Sequence, residues 1–312
     1  MNYPKFNTKQ KAIIKKIYVG IILFLSNLFV FYFVTNFDKE NDTNIFIYLC
    51  LFFVLFILIG SIQEILKSTK LNKNKIVQVP YFLFSFLFFF LFISFLFSQV
   101  QNKSIFTKYP NITKTNLVEL ICLIQKDYFL FYFLFLFICL WFCFLFIRDF
   151  KTNDFNFILF ILLYVVFSNA CFLILIIFDS TWFLYLFVIS IANDSFAFLG
   201  GILFGKHLLY PSVSPKKTWE GFFCGIIMTL IIVLFLFIEK TENPFFWMFT
   251  VCNCVISQIG DLISSKFKRD FAIKDFDNKI PGHGGLLDRF DSLLFLSFFV
   301  ILFLTSPISN YI

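Results

Sequence analysis

The sequence predicts an all-α integral membrane protein with about nine transmembrane helices. Its 312 residues are 60% hydrophobic and only 14% charged, whereas about half of an ordinary soluble protein is apolar. A water-soluble fold of this composition would leave large apolar patches in contact with water. The apolar runs are long enough for helices that cross a bilayer, and such helices satisfy every backbone polar group within lipid.

Nine apolar runs of about 18 residues or more define the predicted spans. Asn193 and Asp194 interrupt the sixth run, so its continuity as a helix is an open question. We expect two regions, with spans one to five in residues 1–180 and spans six to nine in residues 181–312 together with two polar loops. The spans are 17–35, 44–64, 80–99, 129–147, 156–178, 182–204, 221–238, 244–264 and 290–311.

The distribution of positive charge predicts the orientation. With a cytoplasmic N-terminus, 20 of the 26 Lys and Arg residues fall in cytoplasmic segments, as the positive-inside rule requires. Both polar loops then lie on the cytoplasmic face. The same distribution accounts for the net charge of +7 without a nucleic-acid partner.

Residues that are rare in this chain gather in the two loops, since nine of the 11 Gly and both His lie between positions 200 and 285. The first loop reads Ser-Pro-Lys-Lys-Thr-Trp-Glu-Gly from Ser214. Lys216 and Lys217 precede a predicted helix start, where backbone N–H groups and basic side chains favour phosphate. A positive-inside anchor with Thr218 as the N-cap explains this loop equally well.

The second loop connects spans eight and nine. Asp288 and Asp291 are three residues apart and share a helix face, and Asp261 and Lys268 share a face if span eight continues as a helix. The Pro-Gly-His-Gly-Gly turn that starts at Pro281 permits close backbone approach and positive φ. We therefore expect the two acidic ends to meet.

Carboxylates without His or Cys at ligand spacing favour a hard cation. Mg²⁺ in particular binds through one or two carboxylates and substrate phosphates, and Lys and Arg can neutralise phosphate oxygens. The pattern predicts a bound Mg²⁺ ion, with a second cation as a further possibility. It also predicts phosphoryl-type chemistry on a membrane-resident substrate. A solvated loop of mutually offsetting ion pairs is the structural alternative, although such a loop has no need of the Gly and His residues.

The stretch from Ser265 to Asp291 resembles the signature of the phosphatidate cytidylyltransferases, or CDP-diacylglycerol synthases. The loop that starts at Ser214 and the pair Asn193-Asp194 also resemble that family, so that the likeness covers roughly residues 190–300. Asp277 departs from the pattern, since the family usually has a small residue there. The matching residues are Ser265, Lys268-Arg269, Lys274-Asp275, Ile280-Pro281, His283-Gly284-Gly285 and Asp288-Arg289-Phe290-Asp291.

Carried over residue by residue, the resemblance implies roles for these positions. Asp261 and Asp288 are the expected metal pair, with Asp275 and Asp291 as supporting acids. His283 could act in proton transfer, but positioning or bonding phosphate is favoured, because a phosphate nucleophile is already ionised near neutral pH. Asp194 is expected to face either the site or a structural partner. The candidate phosphate contacts are Lys216, Lys217, Lys268, Arg269, Lys274 and Arg289.

The resemblance implies an enzyme that joins CTP to phosphatidate, releasing pyrophosphate, in a lipid bilayer and as a homodimer. A CTP-dependent polyprenol or lipid kinase is the alternative enzyme. A transporter is the alternative from another class, although it should carry charges at mid-span on several helices and only Asp194 is predicted at mid-span. The endoplasmic reticulum membrane is the favoured location, with a bacterial inner membrane as the alternative.

Overall fold

The computed structural model describes residues 29, 31–38, 41, 45–68, 75–101, 128–145, 152–238, 242–277 and 284–306. By compactness the chain divides into residues 1–49 and residues 50–312. In the first unit residues 31–38 are helical. Asp38 there accepts hydrogen bonds from the backbone nitrogens of Ile45 at 3.0 Å and Phe46 at 2.8 Å. This carboxylate therefore caps the helix that begins at Ile45.

Helices make up most of the described chain and confirm the predicted fold class. Predicted spans two to nine each coincide with a helix, whereas span one lies largely outside the described residues. The helices are α1 (Ile45–Ser68), α2 (Lys75–Gln101), α3 (Phe129–Leu145), α4 (Thr152–Phe178), α5 (Thr181–Phe204), α6 (Trp219–Leu236), α7 (Pro244–Asp270) and α8 (Leu287–Thr305).

Within the described residues five helical segments are long and apolar enough to cross a membrane. They are α1, α5, α6, α7 and the part of α2 at Gln78–Ser98. The chain is therefore an all-α integral membrane protein in class. The division at residue 180 and the cytoplasmic N-terminus stay predictions.

The sixth predicted span is one continuous helix, α5, despite its two polar residues. The Asn193 side-chain nitrogen donates to the carbonyl of Cys254 on α7 at 2.7 Å. The Asn193 side-chain oxygen in turn accepts from Gln258 at 2.9 Å, and Gln258 also donates to the Phe222 carbonyl on α6 at 3.2 Å. Because lipid supplies no hydrogen-bond partners, such contacts hold neighbouring helices together.

The first polar loop contains a small antiparallel hairpin that the sequence did not predict. Its strands are β1 (Leu208–Tyr210) and β2 (Ser214–Thr218). Thr218 ends β2 and caps α6, since its hydroxyl accepts from the backbone nitrogen of Gly221 at 3.1 Å. The predicted helix start at Thr218 is therefore confirmed, and the two lysines before it lie on a strand.

Helices α5 and α6 approach each other through glycines. A Cβ at Gly221 would lie 2.4 Å from the Ala197 carbonyl oxygen and 3.1 Å from the Cα of Gly201. A Cβ at Gly200 would lie 2.4 Å from the Cβ of Cys224. At Gly221 backbone contacts backbone and no flexible side chain can move aside, so a small residue is required there.

Gly221→Ala should destabilise the protein by about 1–3 kcal/mol, because the added methyl forces α5 and α6 apart. Gly201→Ala is the matched control, since its Cβ would meet only the Thr218 hydroxyl, at 3.1 Å. Thermal unfolding of the detergent-purified variants measures both. Equal unfolding temperatures for the two variants would contradict the close-packed seam.

Candidate active site

The end of α7 and the start of α8 meet in a buried cluster of one base and two acids. The Lys268 ammonium lies 2.8 Å from Oδ1 of Asp288 and 3.7 Å from Oδ2 of Asp291. The three side chains are exposed by only 9%, 2% and 7%. This arrangement confirms that Asp288 and Asp291 share a face and that α7 continues to Lys268. Buried charges are tolerated when they are paired in this way.

Asp288 also holds the chain on both sides of the Gly-rich turn. Its Oδ2 accepts from the backbone nitrogens of Phe276 and Gly285, each at 2.9 Å. Gly284 has the positive φ predicted for the turn, at 85°. A Cβ at Gly284 would lie 3.1 Å from Asp288 and 3.4 Å from Asp275. Glycine is thus required there both by backbone conformation and by close approach.

A second ion pair connects the first loop to α7. The Lys217 ammonium lies 2.8 Å from Oδ2 of Asp261 and donates to the Gln258 carbonyl at 3.3 Å. The Asp261 side chain is 30% exposed, so this pair is more open than the Lys268 cluster. The loop lysine and the α7 acid that the sequence assigned to one site are therefore in contact.

Asp194 of α5 faces the same region. The hydroxyl of Ser292 on α8 donates to its Oδ2 at 3.1 Å. The backbone nitrogen of Ser292 donates to Oδ1 of Asp291 at 2.8 Å. Asp194 also lies close enough to Asp261, Lys217 and Asp291 for their charges to act on it. Four carboxylates and two ammonium groups thus come together from α5, α7, α8 and the hairpin.

Among the described residues, four further basic candidates make other contacts or are exposed. Arg269 donates to the carbonyls of Val213 at 3.3 Å and Ile273 at 3.1 Å, and so connects the end of α7 to the hairpin turn. Three basic candidates are exposed and form no ion pair with another described residue; they are Lys216, Lys274 and Arg289. His283 lies outside the described residues. The phosphate-binding roles of these residues stay predictions.

Two residues of α1 belong to the site region, and sequence reasoning missed both. Glu64 is fully buried and accepts from the backbone nitrogens of Leu286 at 2.7 Å and Leu287 at 2.9 Å. Lys67, one turn later, forms an ion pair with Asp277. The inference that only Asp194 lies within a span was wrong, because the predicted spans 44–64, 244–264 and 290–311 themselves contain Glu64, Asp261 and Asp291. A carboxylate at the edge of an apolar run was the available signal.

The described residues contain no group of three or more His, Cys, Asp and Glu side chains arranged to hold a metal. Oδ2 of Asp291 is nevertheless buried without a hydrogen-bond partner among them, and Asp261 forms its ion pair through one oxygen. Both oxygens of Asp288 are engaged, by Lys268 and by two backbone N–H groups. This donor set fits a cation that is shared between one or two carboxylates and substrate phosphates.

The contact between Lys67 and Asp277 predicts a compensating pair of substitutions. Lys67→Met should destabilise the protein by about 1–2 kcal/mol, because the Asp277 side chain is only 6% exposed. Adding Asp277→Ser, which introduces the small residue expected from the resemblance, should recover part of that loss. Thermal unfolding in detergent measures the effect.

Lys266→Met is the matched control for that experiment, because Lys266 pairs with Asp270 at 2.6 Å and both side chains are more than half exposed. Its stability should change by no more than about 0.5 kcal/mol. A double variant no more stable than Lys67→Met alone would show that Asp277 does not depend on Lys67.

The chain is similar in sequence to known proteins. The sequence model of the cytidylyltransferase family matches residues 15–306. Phosphatidate cytidylyltransferases are similar over a shorter stretch: that of Staphylococcus saprophyticus is 45% identical over 106 residues, and that of Staphylococcus epidermidis is 44% identical over 108 residues. Each match covers 33% of this chain and 41% of the relative's length. The match along most of its length shows that the chain belongs to the cytidylyltransferase family.

Proposed function

We propose that this protein transfers the cytidylyl group of CTP to phosphatidate, forming CDP-diacylglycerol and pyrophosphate. Family membership supports a cytidylyl transfer. The relatives that bear the name phosphatidate cytidylyltransferase, including that of Staphylococcus aureus at 43% identity over 106 residues, support the lipid substrate. A phospholipid substrate lies in the bilayer, where a membrane-embedded enzyme would have access to it.

The charge balance of the cluster is the observation that carries the proposal. Asp261, Asp288 and Asp291 form ion pairs with two ammonium groups, those of Lys217 and Lys268, and Asp194 lies beside Ser292 of α8 in the same region. When all six are ionised the cluster has an excess of two negative charges. A divalent cation would balance this excess, and Mg²⁺ bound there would neutralise charge on the nucleotide phosphates.

Asp261 and Asp291 are the carboxylates that each have an oxygen available to bind the proposed cation. The sequence-based pair of Asp261 and Asp288 remains a proposal as well, and would require Asp288 to exchange Lys268 for the metal. Each lysine is already held beside a carboxylate in the site. Release of that carboxylate to a cation would leave the ammonium group available for a phosphate oxygen.

The proposed reaction is an in-line displacement. A phosphate oxygen of phosphatidate forms a bond to the α-phosphorus of CTP. The bond from that phosphorus to the oxygen bridging the α- and β-phosphates breaks, and pyrophosphate leaves. The nucleophile is already ionised and needs no base, so that the lysines contribute by positioning and by stabilising the developing charge.

We also propose an orientation in the membrane, a cellular location and an oligomeric state. The N-terminus and both polar loops would lie in the cytoplasm, as the distribution of Lys and Arg indicates. The named relatives are bacterial, which favours a bacterial inner membrane over the endoplasmic reticulum preferred from sequence. A homodimer is the proposed assembly.

Purified protein given labelled CTP and phosphatidate should release pyrophosphate and form CDP-diacylglycerol, and chelation of Mg²⁺ should abolish both products. Dolichol and diacylglycerol serve as the matched lipid acceptors for the kinase alternative. Release of CDP with a phosphorylated lipid would identify a CTP-dependent kinase instead. Absence of CTP turnover with every lipid would reject both enzymes.

Asp288→Asn should lower CTP-dependent turnover by about 100-fold or more, because it removes a charge that orders Lys268 and the turn. Asp270→Asn is the control, since Asp270 is 51% exposed and its ion-pair partner among the described residues is Lys266 on the same helix face. The initial rate of pyrophosphate release, normalised to folded protein by size-exclusion chromatography, measures both variants. Most of the activity surviving in Asp288→Asn would refute the assigned role.

A further inference from the structure

We propose that Glu64 is a positioning residue for this site, acting through the start of α8 rather than by touching substrate. This inference rests on the proposed cytidylyl transfer. Glu64 lies on α1. It caps the start of α8, which is more than 220 residues further along the chain. Its two carboxylate oxygens accept from the backbone nitrogens of Leu286 and Leu287 at 2.7 and 2.9 Å.

The start of α8 has no cap of its own. Leu286 occupies the N-cap position, and its apolar side chain makes no capping hydrogen bond. The first N–H groups of a helix need an acceptor, and a carboxylate is favoured there by the helix dipole as well. Glu64 supplies that acceptor from another helix. Because Asp288 and Asp291 follow in the first turns of α8, the orientation of that turn fixes where both acids point.

Gly285 gives an independent indication that the contact is built into the site. A Cβ at Gly285 would lie 2.5 Å from Oε2 of Glu64 and 2.8 Å from its Cδ. No positive φ at this position explains the glycine. The second glycine of the Gly-Gly pair is thus favoured by the close approach of the Glu64 carboxylate and of the Asp277 backbone nitrogen, which the Cβ would meet at 3.0 Å.

Further contacts place this part of α1 against the same turn. A Cβ at Gly60, one helical turn before Glu64, would lie 2.4 Å from the Leu286 side chain. Lys67, three residues after Glu64, forms the ion pair with Asp277. Residues of α1 therefore contact the chain both before and after residues 278–283, which lie outside the described part of the structure. One helix thus contacts the chain on both sides of this connection.

Glu64→Gln tests the role of the carboxylate with almost no change in shape. The amide offers one oxygen where the carboxylate offers two, so that one of the two backbone N–H groups would face an NH₂ group instead. We expect kcat to fall about tenfold or more, and the Mg²⁺ concentration for half-maximal rate to rise. Asp179→Asn is the matched control, because Asp179 accepts from the backbone nitrogen of Thr181 at the start of α5 at 2.8 Å.

Hydrogen exchange provides a measurement that does not depend on activity. The peptide containing Leu286 and Leu287 should exchange faster in Glu64→Gln than in wild-type protein, whereas the control should leave this peptide unchanged. Equal exchange in Glu64→Gln and wild type overturns the capping contact. A Glu64→Gln enzyme with faster exchange but wild-type kcat and Mg²⁺ dependence shows a purely structural cap and overturns the positioning role.

A double-variant cycle with Gly285 separates this contact from general destabilisation. Gly285→Ala should lose activity because its methyl displaces the carboxylate. Glu64→Asp withdraws the carboxylate by one methylene, so that adding it to Gly285→Ala should cause no further loss. Multiplicative losses would overturn the proposed contact. If wild-type protein makes no CDP-diacylglycerol, the proposed function fails, and hydrogen exchange still decides whether Glu64 caps α8.

Discussion

The site depends on keeping acidic side chains paired inside a helix bundle that is otherwise apolar. Lys268 is nearly buried and lies between Asp288 and Asp291, and its ammonium is also 5.6 Å from the centre of the Phe276 ring. Taking these charges out of water is unfavourable unless each has a partner. The partners come from different helices, so α7 and α8 must dock in one register for the charges to be satisfied. The same constraint creates the place where we propose that phosphates and a cation exchange with the lysines, because the acids outnumber the bases.

Close helix packing makes that register possible. Gly221 brings the backbone of α6 against Gly201 of α5, and Asn193 and Gln258 connect α5 to α6 and α7 by buried hydrogen bonds. Polar side chains within membrane helices are unfavourable without hydrogen-bond partners. Here the hydrogen bonds of Asn193 and Gln258 hold α5, α6 and α7 together. Asp194 lies on the helix that this seam fixes. Its position beside Ser292 therefore follows from packing at glycines as much as from its own contacts.

The sequence was sufficient for the class of fold, for most helices and for the meeting of acids from α7 and α8, because apolar run length and rare-residue clustering are strong signals. It could not predict the hairpin around Val213, whose strands are three and five residues long and lie in a loop with no alternating pattern. Nor did it predict Glu64. Periodicity cannot show that an acid on α1 reaches backbone nitrogens in α8, because that contact depends on how two distant helices pack. Asp288 illustrates the same gap: spacing placed it on a face with Asp291, while its two backbone hydrogen bonds follow from the path of the turn.

Asp277 shows why the motif cannot be understood in isolation. The likeness to the family would place a small residue there, and a buried carboxylate in its place would be unfavourable without a nearby cation. Lys67 supplies the cation from α1, on the same helix as Glu64. One helix from the first quarter of the chain thus accommodates the departure from the family pattern and caps the helix that carries the site acids. Because both contacts lie within four residues of α1, a shift of that helix would disturb the two sides of the turn together. The chemistry assigned to the C-terminal motif is therefore organised in part by the N-terminal region, where the motif itself has no counterpart.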